Sequence, residues 1–307
     1  MKTRVRVTAI PALIAAGFLA SIPGALKVAA QHDHGTPETG TNPYADLGLP
    51  ELNLVQTGDA IEGMPETLEA GRYLLTVTGE GEPGPDDYAI GAMLLQLPEG
   101  LTLDAAMEQA GANPDAPPPF FYESVLAGGA GAIIPAGQTS ATSVIDLPPG
   151  NWIVAGQALS RPPVPFTVTG EMPADLVEPP STATITLDEM TIVLSAGELV
   201  AGDNQLKVEN VGAQPHFVEF MGVPDGTTQA NVEAAIQAEM GGTPEAEPVD
   251  MSQAVPVAYI SEQSTDTTVW TTVHLDAGTY AAMCWVPDPE TGIPHAMSGM
   301  HEVFVVV

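Results

Sequence analysis

An internal repeat constrains the fold of this 307-residue chain more than any other feature of its sequence. Pro98–Gly100 opens a segment that resembles the one starting at Pro224–Gly226, and Ile145–Trp152 resembles Val273–Tyr280 in the same order. The two offsets, 126 and 128 residues, nearly agree, as a tandem duplication with small insertions would produce. The repeat therefore predicts two similar domains in succession rather than one large domain.

Most segments within the copies alternate apolar and polar residues in the manner of half-buried strands. Thr184–Leu187 and Thr191–Leu194 are examples of this period of two. Asn231–Met240 is the exception, because its apolar residues recur every four positions and predict a short helix. With 31 glycines and 30 prolines, the pattern predicts an all-β chain folded as two tandem β-sandwiches, each with one short inserted helix.

The N-terminus has the features of an export signal. Three basic residues precede an apolar run over 9–26, and Val28–Ala30 supplies small residues for cleavage before Gln31. The alternative is an uncleaved membrane anchor, which the prolines and glycines within the run disfavour. Other segments are too short in apolar length to span a bilayer. We therefore expect a mature protein without a stable membrane span, located outside the cytoplasm as a secreted, periplasmic or cell-surface protein.

The charge balance excludes one large class of partners. After residue 30, only three basic residues (Arg72, Arg161 and Lys207) stand against 39 acidic ones, a formal charge of −36. Nucleic acid binding is excluded because nothing could neutralise the phosphates. A cationic redox partner would be steered toward such an acidic surface, although acidity also serves solubility alone.

The single cysteine carries the strongest functional signal. In an exported chain Cys284 cannot form an internal disulfide, so it needs another explanation. His295 and Met300 follow it, and His216 precedes it. Two His, one Cys and a weak axial Met are the ligands of trigonal copper electron-transfer sites. Each residue alone is more often an ordinary core or hydrogen-bonded side chain, but the four in this order favour one bound copper ion.

Several sequence segments also resemble those of a known family. Asn210–His216, Gly278–Tyr280 and His295–Met300 resemble the ligand-bearing segments of the cupredoxin (type 1 blue-copper) superfamily, over roughly 181–307. The likeness is to plastocyanin- and azurin-like proteins and to the type 1 domain of copper nitrite reductases. It implies two tandem cupredoxin-like Greek-key β-sandwiches. It also implies a single type 1 copper, with His216, Cys284 and His295 as equatorial ligands and Met300 as the axial ligand, and Met297 as the rival for the axial position.

Two departures from the family pattern affect the predicted activity. Ten residues separate Cys284 from His295, a loop comparable in length to that of copper nitrite reductases. The neighbours of Cys284 are Met283 and Trp285, whereas the superfamily's enzymes place a histidine there to reach a second copper centre. The sequence therefore predicts an electron carrier rather than a catalyst.

The first copy lacks equivalent ligands, since Ile90 and Gly156 fall at the positions of His216 and Cys284. His32 and His34 lie in a polar N-terminal stretch and are expected to be solvated. The predicted organisation is, in order, a signal peptide over 1–30, a disordered tail over 31–53, a degenerate cupredoxin-like domain without metal ligands over 54–170, a linker over 171–180 and the copper domain over 181–307.

These observations favour an exported copper protein that carries out one-electron transfer with a redox partner protein. The resemblance places His295 near the surface as the electron exit, with Asp288 and Glu290 orienting a cationic partner. Copper buffering or delivery, and a metal-free extracellular interaction module, are the alternatives.

Overall fold

The computed structural model describes residues 42–82, 88–113, 116–156 and 161–307. The predicted signal peptide and the two tail histidines, His32 and His34, lie outside these residues. The first copy contributes two helices and eleven strands to the described part: β1 (Glu51–Gln56), β2 (Ile61–Glu62), β3 (Thr67–Glu69), β4 (Gly71–Gly79), β5 (Ala89–Ile90), β6 (Met93–Gln96), α1 (Leu103–Ala112), α2 (Pro119–Glu123), β7 (Val125–Leu126), β8 (Ala130–Ile133), β9 (Ser140–Leu147), β10 (Gly150–Ala155) and β11 (Val164–Thr169). The second copy contributes β12 (Ala183–Asp188), β13 (Thr191–Gly197), β14 (Gly202–Asn210), β15 (His216–Val223), α3 (Gln229–Glu239), β16 (Val255–Gln263), β17 (Thr267–Leu275), β18 (Gly278–Met283) and β19 (His301–Val306).

The predicted all-β architecture of two tandem sandwiches is confirmed. In the second unit one layer has the strand order β13-β12-β14-β17 and the other has the order β19-β18-β15-β16. The first unit repeats the first of these layers as β2-β1-β4-β9. The parallel pair of β1 and β4 in the first unit corresponds to the parallel pair of β12 and β14 in the second. Within the described residues, no helix combines the length and the apolar character that a bilayer crossing requires.

The two units meet edge to edge, so that the eight-stranded and the six-stranded sheets each contain strands of both units. β9 pairs with β17 through Ser143 and Thr271, and β8 pairs with β16 through Gly131 and Tyr259. Each of these pairs joins residues 128 positions apart, which is the offset of the internal repeat. Equivalent residues face each other in both layers, as a pseudo-two-fold axis between the units requires. The domain limits drawn from the sequence stay a prediction, because the shared sheets join the units.

The helix predicted over Asn231–Met240 begins slightly earlier, at Gln229. Thr228 accepts the backbone N–H of Asn231, whose side chain in turn accepts from the backbone N–H of Thr228, and this reciprocal cap fixes the start. Val232 is buried, while Met240 is 52% exposed just beyond the helix end. In the first unit the single predicted helix is replaced by two short ones, α1 and α2.

The predicted disorder over 31–53 is wrong for its described part. Tyr44 is buried against the outer face of the eight-stranded sheet beside Trp270, and β1 pairs with β4 from Glu51 onward. Leu47 and Leu49 pack on the same cluster. The polar composition of the surrounding segment does not indicate that these two residues are core residues. Burial of this apolar surface at the junction of the units offsets the entropy of ordering the segment.

All three Lys and Arg residues of the described chain have hydrogen-bond or ion-pair partners within the molecule. Arg72 donates two hydrogen bonds to Asp146, at 2.7 and 2.8 Å, and its guanidinium lies 4.2 Å from the ring centre of Trp270 in the other unit. It also donates to the carbonyl of Val177 in the predicted linker. Arg72 therefore ties the two units and the linker together.

Replacement of Arg72 by methionine is expected to lower the free energy of unfolding by about 3 kcal/mol, because it leaves the Asp146 carboxylate unpaired. The matched control is Lys207→Met, which removes a partly exposed ion pair with Glu178 at 3.1 Å and should cost less than about 1 kcal/mol. Urea denaturation of both variants measures the difference. Equal losses would contradict a special role for Arg72.

Candidate metal centre

The fold brings together three of the four predicted ligands. His216 is the first residue of β15, Cys284 follows β18 directly, and His295 begins a short 3-10 turn after the intervening loop. His216 Nδ1 lies 3.0 Å from His295 Nδ1, and Cys284 Sγ lies 3.9 and 3.7 Å from these two atoms. All three side chains have no exposed surface.

This triangle fits a metal ion. A point equidistant from the three atoms lies about 2.1 Å from each, close to the distances at which protein imidazole nitrogen and thiolate sulfur bind a first-row ion such as zinc. In the described residues this is the one group of three or more Cys, His and acidic side chains close enough to share an ion. Two imidazoles and one thiolate in a trigonal arrangement are the donor set that copper takes in electron-transfer proteins.

Backbone hydrogen bonds hold the Cys284 and His295 segments together. Ala296 N donates to Cys284 O at 2.7 Å, and Cys284 N donates to Met300 O at 3.2 Å. Met300 N donates back to His295 O at 2.9 Å. The thiol itself is 3.5 Å from the N–H of Phe217, the residue after the first histidine. The positions of the ligands are therefore set by backbone that does not depend on the metal.

The two candidate axial methionines lie in different surroundings. Met300 is fully buried in the core cluster that contains Cys284 and Phe217. Met297 is half-buried and packs against a second cluster, with Val232 and Ala296. This favours Met300 as the axial ligand, and the assignment stays a prediction.

The ten residues between Cys284 and His295 form a compact hairpin rather than a loose excursion. Pro287 and Pro294 form an isolated antiparallel bridge, and Asp288 N donates to Ile293 O at 2.9 Å. The Asp288 carboxylate accepts the N–H of Thr291 at 2.8 Å, and the hydrogen bonds from Thr291 lower the pKa of Asp288. The hairpin returns the chain to the ligand cluster despite its length.

The first unit supports this hairpin. Tyr122 in α2 donates its hydroxyl to the carbonyl of Pro287 at 2.7 Å. Nearby, Ser264 donates to the carbonyl of Ser124 at 2.9 Å and accepts the N–H of Leu126. The hairpin between these two candidate ligands is thus braced by residues of the first unit, whose described residues contain no comparable ligand cluster.

Burial makes the charged forms of both imidazoles unfavourable. It lowers the pKa of His216 to about 3, helped by repulsion from His295, and it lowers the pKa of His295. Burial likewise raises the pKa of the Cys284 thiol to about 12. The metal-free site therefore holds neutral groups, and binding of a cation as the thiolate complex releases a proton.

His295, which the resemblance places near the surface, is covered by a single polar residue. Its side chain has no exposed surface, and its Nε2 lies 3.0 Å from the Oε1 of Gln214. Sequence patterns could not reveal this cover, because Gln214 and His295 lie 81 positions apart in the chain. His301 is also buried, with its Nδ1 3.1 Å from Ala296 O, whereas His274 is exposed on β17 beside Asp203.

A buried carboxyl that the sequence did not single out lies at the junction of the units. Tyr88 of the first unit donates its hydroxyl to Glu219 on β15, three residues after His216. Glu219 is 5% exposed, and burial raises its pKa to about 7 although the hydrogen bond from Tyr88 opposes the shift. Glu219 is therefore largely protonated below neutral pH.

Glu219 is expected to make folding less stable as pH rises. Since its folded pKa lies above its unfolded value, its stabilising effect is present below about pH 4.5 and is lost through about pH 7, a change of about 3 kcal/mol. Glu219→Gln keeps an acceptor for Tyr88 and should remove this dependence. Urea denaturation from pH 4.5 to 8 compares the variant with wild type, and exposed Glu198→Gln is the control. A constant difference between wild type and Glu219→Gln would contradict the assignment.

The strand order and the buried His–Cys–His triangle, with Met300 in the adjoining core, define the class of the second unit. It has a cupredoxin fold with a cluster consistent with a type 1 copper site. The first unit repeats the sandwich, and together they make a two-unit protein of this fold.

Known structures are similar to this chain at low identity. Auracyanin B is 20% identical over 44% of this chain and 95% of its own length, with a TM-score of 0.27. Auracyanin A, a "blue" copper protein from the green thermophilic photosynthetic bacterium Chloroflexus aurantiacus, is 22% identical over 40% of this chain and 99% of its own length, with a TM-score of 0.24. A multicopper oxidase is 11% identical over 84% of this chain and 88% of its own length, with a TM-score of 0.23. No protein-family model and no curated protein sequence matches the chain.

Proposed function

We propose that this protein is an exported electron carrier that transfers one electron at a time at a single type 1 copper centre. The convergence of His216 Nδ1, His295 Nδ1 and Cys284 Sγ within 3.9 Å of one another, fully buried, carries the proposal. Copper bound there would supply the Cu(II)/Cu(I) couple.

The protein's own contribution is a rigid and dry ligand set. The backbone hydrogen bonds among Cys284, Ala296, Met300 and His295 hold the ligands in one arrangement. A site that changes little between oxidation states keeps the reorganisation cost of electron transfer small. The apolar surroundings, Phe217 and Met300 among them, exclude water and tune the potential.

The surface near the site suits a cationic redox partner. Asp288 and Glu290 lie on the loop that leads to His295, and Glu189 lies 4.0 Å from His216 Nε2. Such charges steer an oppositely charged protein and speed its encounter. The association rate with a cationic partner is therefore expected to fall as salt rises.

The carrier role is favoured over catalysis by the surroundings of Cys284. Met283 is buried and Trp285 is half-buried, and neither can ligate a second copper as a neighbouring histidine would. An enzymatic role, such as that of the multicopper oxidase with a similar structure, is the alternative to the carrier role among copper proteins. Copper buffering or delivery is the second candidate, since the same soft ligands retain Cu(I).

The test is a titration of mature protein with Cu(II), followed by optical absorption and electron spin resonance. One equivalent should produce an intense visible thiolate-to-copper band and a reversible one-electron potential. Tight binding of Cu(I) without reversible electron exchange would favour buffering or delivery. Absence of any binding would refute the copper proposal and leave the metal-free module.

Replacement of Met300 by leucine is expected to keep copper bound but raise the reduction potential, because the loss of a weak thioether donor destabilises Cu(II) more than Cu(I). The change conserves volume and should cost less than about 1.5 kcal/mol of stability. Met297→Leu, in the same turn, is the matched control and should leave the potential unchanged. Potentiometric titration of both variants decides, and a shift only in Met297→Leu would reverse the axial assignment.

A further inference from the structure

We infer that Gln214 is a positioning residue for the copper site: it sets which ring nitrogen of His295 carries the proton and covers this ligand on its outer side. The inference deepens the proposed function and rests on it for its relevance to copper. Gln214 lies one residue before Pro215–His216, so a single short segment would supply one ligand and orient another.

The orientation of the Gln214 amide follows from Asp288. The Nε2 of Gln214 lies 3.2 Å from Asp288 Oδ2, and an ionised carboxylate can only accept hydrogen bonds. The NH₂ group of the amide must therefore face Asp288. The other oxygen of Asp288 is fixed by the N–H groups of Glu290 and Thr291 within the hairpin, so the carboxylate cannot turn away.

The amide oxygen then determines the state of His295. With its NH₂ committed, Gln214 presents Oε1 to His295 Nε2 at 3.0 Å. A carbonyl oxygen only accepts, so Nε2 carries the proton and Nδ1 keeps its lone pair. That lone pair faces Cys284 Sγ and His216 Nδ1, which is the position of the inferred ion. Fixing the ring through its remote nitrogen is how metal-binding histidines are oriented in general.

The contacts of His216 agree with this assignment. If His295 Nδ1 is the acceptor of the 3.0 Å contact between the rings, His216 Nδ1 is the donor. The Nε2 of His216 is then unprotonated and needs no acceptor, and it is buried without a hydrogen-bond partner. In the metal-free protein one proton thus links the two ligands, and copper takes its place.

Gln214 is itself held from both sides. Its carbonyl accepts from Asn210 Nδ2 at 2.8 Å, and its N–H donates to Glu189 Oε1 at 3.0 Å. It is half-exposed, while His295 has no exposed surface. A partner protein that approaches this side therefore touches Gln214 and not the imidazole.

The test uses nitrogen NMR of the metal-free protein, which reports the tautomer of each histidine without any copper. Wild type should show His295 protonated at Nε2. Gln214→Ala should lose this single tautomer, and Asp288→Asn should weaken it, because the asparagine keeps the hairpin acceptor but can place an amide NH₂ opposite Gln214. Gln253→Ala, an exposed glutamine elsewhere in the same unit, is the control and should change nothing. Circular dichroism checks that every variant is folded.

A second measurement concerns the loaded site. Gln214→Ala should weaken copper binding by about 10- to 100-fold, as expected for loss of an outer partner of a ligand, and should raise the reduction potential. Gln214→Glu, made together with Asp288→Asn so that two carboxylates do not face each other, keeps an acceptor with more negative charge and should lower the potential instead. A wild-type His295 protonated at Nδ1, or a Gln214→Ala variant with unchanged tautomer and potential, would overturn the inference. If the tautomers are as expected but copper does not bind, only the proposed function fails.

Discussion

Replacement of Cys284 by serine is expected to abolish the intense visible band of the copper-loaded protein and to weaken copper binding by more than about 100-fold. The sulfur lies 3.9 and 3.7 Å from the two imidazole nitrogens and is the only soft anionic donor in the triangle. A serine hydroxyl is a hard donor and does not ionise near neutral pH. The band arises from charge transfer between thiolate and copper, so it cannot persist without the sulfur.

The substitution is a clean one because it changes little else. Serine is nearly isosteric with cysteine, and its oxygen can still accept the N–H of Phe217 that now faces Sγ at 3.5 Å. Absorption, spin resonance and competition with a chelator measure the loss. Ser298→Ala, on the exposed side of the following turn, is the control and should behave as wild type. A visible band that survives in Cys284→Ser would place the copper elsewhere in the chain.

The sequence was sufficient to single out His216, Cys284 and His295, which the fold brings together, because the chemistry of these residues is so restrictive. One cysteine, with a histidine upstream and a histidine and methionine downstream, leaves few other interpretations in a chain of this strand pattern. The strand pattern and the repeat likewise predicted two sandwiches, since periods of two and copies of similar length survive substitution. The helix over Asn231–Met240 was found for the same reason, with its start displaced by the cap at Thr228.

What the sequence could not predict depends on contacts between distant segments. The cover of His295 by Gln214 joins residues 81 positions apart, and the support of the hairpin by Tyr122 joins residues 165 apart. Tyr122 lies in no recognised motif, and the segment Asn210–His216 points to His216 as a ligand without indicating what Gln214 contacts. The order at Tyr44 was missed because a polar composition conceals a few apolar residues that find a surface only after the two units have met.

These contacts give the first unit a role, although its described residues hold no group of candidate metal ligands. Tyr122 braces the loop between two ligands, Tyr88 satisfies the buried Glu219 on the strand that starts at His216, and Arg72 stacks on Trp270. Each of these first-unit side chains contacts a residue of the second unit. Duplication followed by loss of one site would thus leave the spare copy as the support of the remaining one.

Copper is expected to stabilise the whole protein, and not only its site. The ligands are 68 and 11 residues apart in the chain, so they converge only in the folded state and the unfolded chain binds the ion weakly. A ligand that binds only the folded state adds about 4 kcal/mol to the free energy of unfolding when free copper is a thousand times the dissociation constant. Each further tenfold increase adds about 1.4 kcal/mol.

Urea denaturation at a series of buffered, anaerobic Cu(I) concentrations, followed by tryptophan fluorescence, measures this linkage. Cys284→Ser should gain much less stability than wild type over the same range, while Ser298→Ala should follow wild type. Because two of the three sheets run through both units, the stabilisation should appear as one cooperative transition that reports both units together. A transition in which only part of the fluorescence responds to copper would mean that the second unit unfolds alone. Stability independent of copper, despite a bound equivalent, would locate the ion outside the folded units, with His32 and His34 as the next residues to replace.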